Sequence, residues 1–405
     1  MEVLIDKLDN QGRGIAYVDN KITFIENALE DEIVDIEIVK MQKKFNEAIV
    51  RKYIKKSSNR IQPICPYYEI CGGCNLMHLS YEDQLLYKEN KIRDILKKYA
   101  QLDDVKINSI VPSPDQFNYR NKVTLKNNGM LGYYKRKSND IVNIEYCYLV
   151  NDVLNKKIKE LNSLKIDSEI NEIVLRSINE TDLSLTLSLQ DDLKDCSKYI
   201  NLFNKVTLLR KNNIENLTKE SNIFGRLGKY EFMVSPTAFF QVNTKQAENL
   251  YNKILEYVKE EPNKELLDLY CGTGTIGIYV SEYAKKVIGI EINSKAIEDA
   301  KINAKINNVN NIEFYSGDTK NILSRNNFKA DIVIVDPPRA GLDKEVIDDL
   351  FNIDSQKIIY VSCDPITLAR DLKLLQDKYN VLEVTPFDMF PNTYHCESVV
   401  ILERK

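Results

Sequence analysis

From Glu265 to the C-terminus, short apolar runs alternate with helix-like segments, and this alternation constrains the fold more than any other feature. Leu266-Leu267-Asp268-Leu269-Tyr270 opens the series, followed by runs at 287–290, 312–315, 332–335 and 358–361. Apolar strands separated by helical crossovers are buried on both faces, so they imply a parallel, doubly wound sheet of the Rossmann-like α/β class. Ligands of such sheets bind beyond the C-terminal ends of the strands. The residues at or near those ends are polar: Asp268, Glu291, Asp318, Asp336 and Cys363. Helices are expected over 276–284, from Ser294 to about 307 and from near Ile366, and runs at 381–384 and 398–402 are expected to close the sheet as a hairpin pair.

The preceding chain reads differently. Residues 1–56 hold short alternating runs broken by turn signals such as Asn10-Gln11-Gly12 and Asp19-Asn20, the pattern of a small antiparallel OB-like barrel or sandwich. Residues 57–232 mix strand-like and helix-like segments and are expected to form a central α+β domain, with a one-faced helix over 81–100 that packs on the catalytic domain, 233–405. A chain of 405 residues accommodates three such parts. The N-terminus lacks a basic start followed by a long apolar core, and no apolar run approaches the roughly 18 residues of a membrane span. A cytoplasmic monomer without membrane contact is expected.

Gly272-Thr273-Gly274-Thr275-Ile276-Gly277 follows a strand and opens a helix, and Glu291 lies 19 residues beyond Gly272, near the offset of a ribose-binding acid. The loop alone fits either a nicotinamide dinucleotide or S-adenosylmethionine. Asp268 favours the second, because a sulfonium and an ammonium gain from a carboxylate where a pyrophosphate would not. Asp336-Pro337-Pro338-Arg339 presents its carboxylate on a backbone stiffened by two prolines; similar tetrapeptides occur in methyltransferases of exocyclic base amines. Cys363 precedes a helix, whose N-terminus is expected to lower the thiol's pKa and make it nucleophilic. Glu397 enters the last strand from a polar loop, placed to act as a general base.

Eight cysteines are too few for a disulfide-built secreted domain and are expected to stay reduced. Cys65-x5-Cys71-x2-Cys74, wrapped around Gly72-Gly73, with Cys147 as a distant fourth thiol, suits zinc or an iron–sulfur cluster, with a lean toward the cluster.

Together these motifs resemble the S-adenosylmethionine-dependent RNA uracil-5-methyltransferases, in particular the bacterial 23S rRNA enzymes with a TRAM domain and a [4Fe-4S] cluster. The resemblance runs through Gly12-Arg13-Gly14-Ile15-Ala16, the four cysteines, Phe239-Phe240-Gln241-Val242-Asn243 and the Asp268-x-Tyr270-Cys271-Gly272 loop. It continues through Asp336-Pro337-Pro338-Arg339-Ala340-Gly341, Ser362-Cys363-Asp364-Pro365 and His395-Cys396-Glu397. It implies Cys363 as nucleophile and Glu397 as base. Gln241, Tyr270, Glu291 and Asp336, with Gly272 of the loop, are implied around S-adenosylmethionine, and Asp318 near its adenine. Cys65, Cys71, Cys74 and Cys147 are implied as ligands of a [4Fe-4S] cluster, and RNA as the partner, 23S rRNA ahead of tRNA. Asp364 stands where many members have Asn, and Cys396 where Val is usual.

The chemistry agrees. C5 of uracil is too weak a nucleophile to take a methyl group unaided, so a thiolate must add at C6 and a base must later remove the C5 proton. The target base has to leave its stack, which favours a loop or a single-stranded segment. Rival readings are a base-amine methyltransferase using Asp336-Pro337-Pro338-Arg339, an RNA-binding or redox-sensing module with an idle methyltransferase domain and, more distantly, a nicotinamide oxidoreductase. The formal charge of −4 argues against nucleic acid only as an average. Lys40 to Arg60 carries eight basic residues and one acid, and residues 116–139 carry six basic residues, no acid and Tyr119, Tyr133 and Tyr134. These two stretches are the expected RNA surface.

Overall fold

The structure, a computed structural model, describes residues 1–405 apart from Glu180 and Asn212. Its contacts define two compact units, one of Met1–Lys91, Gly132–Ile144 and Phe390–His395, the other of Ile92–Leu131, Glu145–Met389 and Cys396–Lys405.

In the first unit, Glu2–Leu4, Lys7–Leu8, Gly14–Val18, Lys21–Glu26, Ile33–Met41 and Phe45–Lys55 form one sheet. Alternate side chains turn inward, so Ile5, Val18, Ile25, Val34, Ile36 and Ala48 make its core. Pairing is antiparallel as expected, except that Lys21–Glu26 and Phe45–Lys55 run parallel. The cause is the Ile33–Met41 strand, which turns back on Phe45–Lys55 and so returns it in the direction of Lys21–Glu26. The carboxylate of fully buried Glu32 accepts from the N–H groups of Leu29 and Ser57 and from the Arg60 guanidinium. Arg60, the last cation of the first basic stretch, is therefore a structural clasp.

The helix expected over 81–100 is an α-helix, Tyr81–Ile95, that widens into a π-helical turn, Leu96–Ala100, and stops at Gln101 with a left-handed φ of 58°. In the first unit, buried Lys88 and Lys91 donate to the carbonyls of Phe390 and Tyr394, and Gln84 bonds to Asn392, which fixes the 390–395 loop. In the second unit, Gln376 Nε2 donates to the Ala100 carbonyl at 3.0 Å, docking the π-helical turn against the end of helix Pro365–Leu375.

The second unit contains a central sheet with Lys122–Asn127, Ile170–Ser177, Leu183–Leu189, Lys205–Arg210 and Asn213–Asn216 in that order. Its larger sheet orders Ile312–Ser316, Ala284–Glu291, Lys264–Leu269, Ile332–Val335, Lys357–Ser362, Glu397–Arg404, Tyr379–Phe387 and Lys106–Ile107. The first five of these are parallel, and Glu397–Arg404 is inserted antiparallel between its neighbours. The doubly wound sheet is as expected, and the closing pair is longer than expected because the antiparallel ladder carries both strands to the polar edge. Strand order reverses between Lys264–Leu269 and Ile332–Val335, which opens a crevice there. Helix Ser294–Ile306 begins where expected and is capped by the Asn293 side chain. Among the described residues no helix is long and apolar enough to cross a membrane.

Gly274 caps helix Thr275–Val280 at φ 78°, and an added Cβ would come within 2.9 Å of Phe314 Cζ. Gly274→Ala should therefore cost about 2 kcal/mol or more, from backbone strain plus overlap. Urea denaturation measures this, and a cost below about 0.5 kcal/mol, the range of a surface substitution, would contradict it.

Candidate active site

The closing strand decides where the reactive groups meet. Its ladder with Lys357–Ser362 runs from Lys357 opposite Glu403 to Ser362 opposite Ser398. The next residues, Cys363 and Glu397, come side by side just past the end of that ladder, and Glu397 is the charge that acts most strongly on the thiol. Phe387 flanks Glu397 on its other side. Glu397 is buried and Cys363 half-buried, just before helix Pro365–Leu375. Burial and then Asp336 push the Glu397 carboxyl up to about 8, and burial lifts Asp336 itself to about 7.

The thiol departs from expectation. Burial, then Glu397 and Asp336, push Cys363 up to about 12, against which Arg339 pulls only in part. The helix N-terminus does not lower it because Asp364 already accepts the N–H groups of Ile366 and Thr367, while two carboxyl groups share the pocket with the sulfur. Cys396 is buried with its thiol on the carbonyls of Phe387 and Glu397, a packing arrangement.

A cavity of about 330 Å³ opens beside the glycine loop, with Ser235, Ala238, Phe239, Gly272, Thr273 and Glu291 in its wall. The Gly272 N–H donates to Glu291 Oε2 at 3.2 Å and the Asn293 N–H to Oε1 at 2.8 Å. Asp268 is fully buried; its Oδ2 accepts the Gly277 N–H at 2.9 Å, while Oδ1 has no hydrogen-bond partner among the described residues. Burial raises this carboxyl to about 8. An orphaned carboxylate oxygen beside the loop fits a cationic ligand.

Gln241, Tyr270, Asp318 and Asp336 lie outside that cavity's wall. Tyr270 is half-buried at φ 63°, a strained conformation that costs about 1–3 kcal/mol and persists where packing enforces it. Asp318 Oδ1 caps helix Thr319–Arg325, so part of this carboxylate serves the fold. The Gln241 carbonyl is held by Asn121 Nδ2 at 2.9 Å, and nearby Asn243 caps helix Thr244–Glu260 while binding Ser113 and Met389. A larger cavity, about 830 Å³, lies at the N-terminal ends of the same strands, between Asn263, Glu265, Lys285 and Asp331, away from all of these groups.

Three residues unnoticed in the sequence hold the loop that follows Asp336. Thr367 Oγ1 donates to the Arg339 carbonyl at 3.1 Å, and Arg370 donates to the carbonyls of Ala340 and Leu342 at 2.9 and 3.1 Å. Asp371 Oδ2 accepts from the Leu342 N–H and the Tyr360 hydroxyl, each at 2.7 Å. The helix that follows the thiol thus also positions Asp336. The available signal was an acid, Asp371, on the apolar face of Leu368, Leu372 and Leu375.

Cys65, Cys71 and Cys74 belong to the first unit and Cys147 to the second, and all four are half-buried. Among the described residues no group of three or more His, Cys, Asp or Glu side chains is placed to hold a metal ion, so the expected [4Fe-4S] site is not borne out. Arg136 organises the Cys71–Cys74 turn instead, donating to the carbonyls of Tyr68, Cys71 and Cys74 at 2.8, 3.1 and 2.7 Å. This also withdraws Arg136 from the expected RNA surface. Lys135 pairs with Asp140, Lys137 with Glu26 and Glu47, and Lys126 with Glu172, so a stretch with no acid of its own finds acids on neighbouring strands. Lys43, Lys44, Lys52, Lys55 and Lys56 are exposed.

The tRNA (uracil-5-)-methyltransferase family model matches residues 80–405, and the TRAM domain model matches residues 1–50. The chain belongs to this uracil-5-methyltransferase family. It is 35% identical to an uncharacterized RNA methyltransferase of Clostridium tetani over 98% of this chain and 95% of the relative. It is 34% identical to one of Staphylococcus aureus (strain MSSA476) over 98% and 96%. The crystal structure of Pyrococcus abyssi tRNA (uracil-54, C5)-methyltransferase in complex with S-adenosyl-L-homocysteine is similar at a TM-score of 0.83 and 31% identity, covering 99% of both chains.

As a uracil-5-methyltransferase the protein uses S-adenosylmethionine, a cation at its sulfur and its ammonium, and the strand ends carry three raised carboxyls, Asp336, Asp268 and Glu397. Those carboxyls are held protonated up to about 7, 8 and 8. Their protonation favours the ligand-free fold at low pH, and that contribution falls steadily as pH rises from about 4, the ordinary carboxyl range, to 7–8. Over the same window the site gains negative charge. S-adenosylmethionine should bind more tightly at pH 8 than at pH 6, and S-adenosylhomocysteine, neutral at sulfur, should gain less. Calorimetric titration with both ligands checks this, and equal pH dependence would contradict it.

Proposed function

We propose that the enzyme methylates C5 of a uridine in RNA, with Cys363 as nucleophile and Glu397 as base. The observation that carries this reading is the cross-strand apposition of one thiol and one raised carboxyl, with Asp336 among the groups that perturb both. S-adenosylmethionine supplies an electrophilic methyl group. The Cys363 thiolate bonds to C6 of uracil, and C5 becomes an enolate carbon that takes the methyl group. Glu397 removes the C5 proton, the C5–C6 double bond re-forms, the S–C6 bond breaks and the thiolate leaves. A carboxyl whose pKa lies near the working pH is a stronger base than an ordinary carboxylate. The raised thiol stays protonated until cationic charge enters beside Asp336 and Glu397, which couples thiolate formation to a filled cofactor site. Gln241, Tyr270, Gly272, Glu291 and Asp336 are assigned to the cofactor, with Asp318 toward its adenine.

Within RNA we assign 23S rRNA first, supported by the TRAM domain together with the cysteine set. The soft thiols of Cys65, Cys71, Cys74 and Cys147 and their spacing support a [4Fe-4S] cluster by donor chemistry. In this reading the protein is a cytoplasmic monomer of three parts, 1–56, 57–232 and 233–405. A tRNA uridine is the second reading, favoured by the similarity to the Pyrococcus abyssi tRNA enzyme.

RNA tritiated at uracil C5 should release tritium to water in step with methylation. Cys363→Ala should lower both by about 1,000-fold or more, as loss of a covalent nucleophile does. Methylation with the tritium retained would refute the mechanism, and full activity in Cys363→Ala would shift the assignment to a base amine. Mapping 5-methyluridine in rRNA and tRNA of a deletion strain separates the two substrates.

A further inference from the structure

On the central sheet, Lys122 and Arg176 are direct cross-strand partners, and the same row continues through Ser184 to Lys205. Lys205 is paired with Asp182 and Lys126 with Glu172. Among the described residues neither Lys122 nor Arg176 forms an ion pair with a carboxylate. Arg176 is 2% exposed, and its guanidinium donates to the carbonyls of Ser235 at 3.2 Å and Ala238 at 2.7 Å, both in the wall of the cavity beside Gly272. Lys122 is half-buried next to Asn121, whose side-chain amide holds the Gln241 carbonyl. Like charges directly opposed on a sheet are destabilising, and desolvating one of them adds to the cost. Burial and then Arg176 opposite push the Lys122 ammonium down to about 8, against which Glu172 pulls only in part. An opposed charged pair, of which Arg176 is bonded to the wall of that cavity, is satisfied by an incoming anion.

We propose that Lys122, backed by Arg176, is the subsite for a backbone phosphate of the RNA close to the target uridine. The inference rests on RNA being the substrate. Lys122 supplies the contact, and a phosphate oxygen at its ammonium offsets the opposed charges. Arg176, with donors committed to Ser235 and Ala238, contributes its charge and holds the 235–238 segment in place. The Ser184 hydroxyl continues the polar row across the sheet. The other oxyanion within the chemistry of this site is the carboxylate of S-adenosylmethionine, and the test separates the two.

The test compares the full-length protein with Lys122→Gln and Lys122→Arg, using a fluorescent single-stranded oligouridylate and, in a separate titration, S-adenosylhomocysteine. Lys122→Gln should weaken oligouridylate binding about tenfold and make its log–log salt dependence shallower by about 0.7, the signature of one lost phosphate contact. Its affinity for S-adenosylhomocysteine should stay unchanged, and its Tm should equal or exceed that of wild type because the opposed charge is gone. Lys122→Arg should keep the RNA affinity. Unchanged oligouridylate binding by Lys122→Gln would overturn the subsite, as would weakened S-adenosylhomocysteine binding with RNA affinity intact, which would assign the pair to the cofactor carboxylate. A lowered Tm with both affinities reduced would make Lys122 structural and equally overturn it. Wild-type protein that bound no oligouridylate would overturn the RNA reading together with the subsite.

Discussion

The candidate site depends on one packing event, the antiparallel insertion of Glu397–Arg404 between Lys357–Ser362 and Tyr379–Phe387. Six consecutive residues of that strand, Glu397 to Leu402, are buried. A slip of one residue would draw exposed Glu403 into the buried stretch, so the boundary between apolar and charged residues locks the register. The same register, ending at Ser362 opposite Ser398, brings Glu397 beside Cys363. Val399, Val400, Ile401 and Leu402 each contribute about 1.5–3 kcal/mol on burial. Holding Glu397 protonated at pH 7, with its carboxyl at about 8, costs about 3 kcal/mol. The aliphatic part of the strand therefore outweighs the buried acid at its tip.

Electrostatics completes the arrangement. Asp336 raises both Glu397 and Asp268, and Glu397 and Asp336 together raise Cys363, while Arg339 pulls the other way on Glu397 and Cys363. Several reactive groups thus share one deficit of positive charge. A cationic methyl donor relieves that deficit and delivers the electrophile in the same act, so a site poorly set for an isolated thiol is well set for methyl transfer. The helix Pro365–Leu375 adds rigidity, because Thr367, Arg370 and Asp371 hold the loop carrying Arg339 while its N-terminus follows the thiol.

The doubly wound sheet was legible because five apolar strands end in polar residues at regular intervals, and period and punctuation are local signals. Cys363 and Glu397 were legible as individual residues through their positions at strand ends. Their apposition was not, since the register of an inserted strand is set by pairs 36 to 46 residues apart in the chain, Ser362 with Ser398 to Lys357 with Glu403. The raised thiol was also hidden: the helix N-terminus is visible in sequence, whereas Glu397 and Asp336 reach the sulfur only through the fold. The second basic stretch misled for a related reason, because the partners of Lys126, Lys135 and Lys137 lie on other strands or beyond a turn. The cysteine spacing named a chemistry that no group of described side chains bears out.

The central claim is that Cys363 and Glu397 act in sequence on one uracil, addition first and proton removal second. Its most direct test is denaturing electrophoresis with mass spectrometry of Glu397→Gln after incubation with substrate RNA and S-adenosylmethionine. The account predicts a persistent covalent protein–RNA complex, joined through Cys363 and already carrying the new methyl group. Absence of any complex, or release of methylated RNA at the wild-type rate, would contradict it.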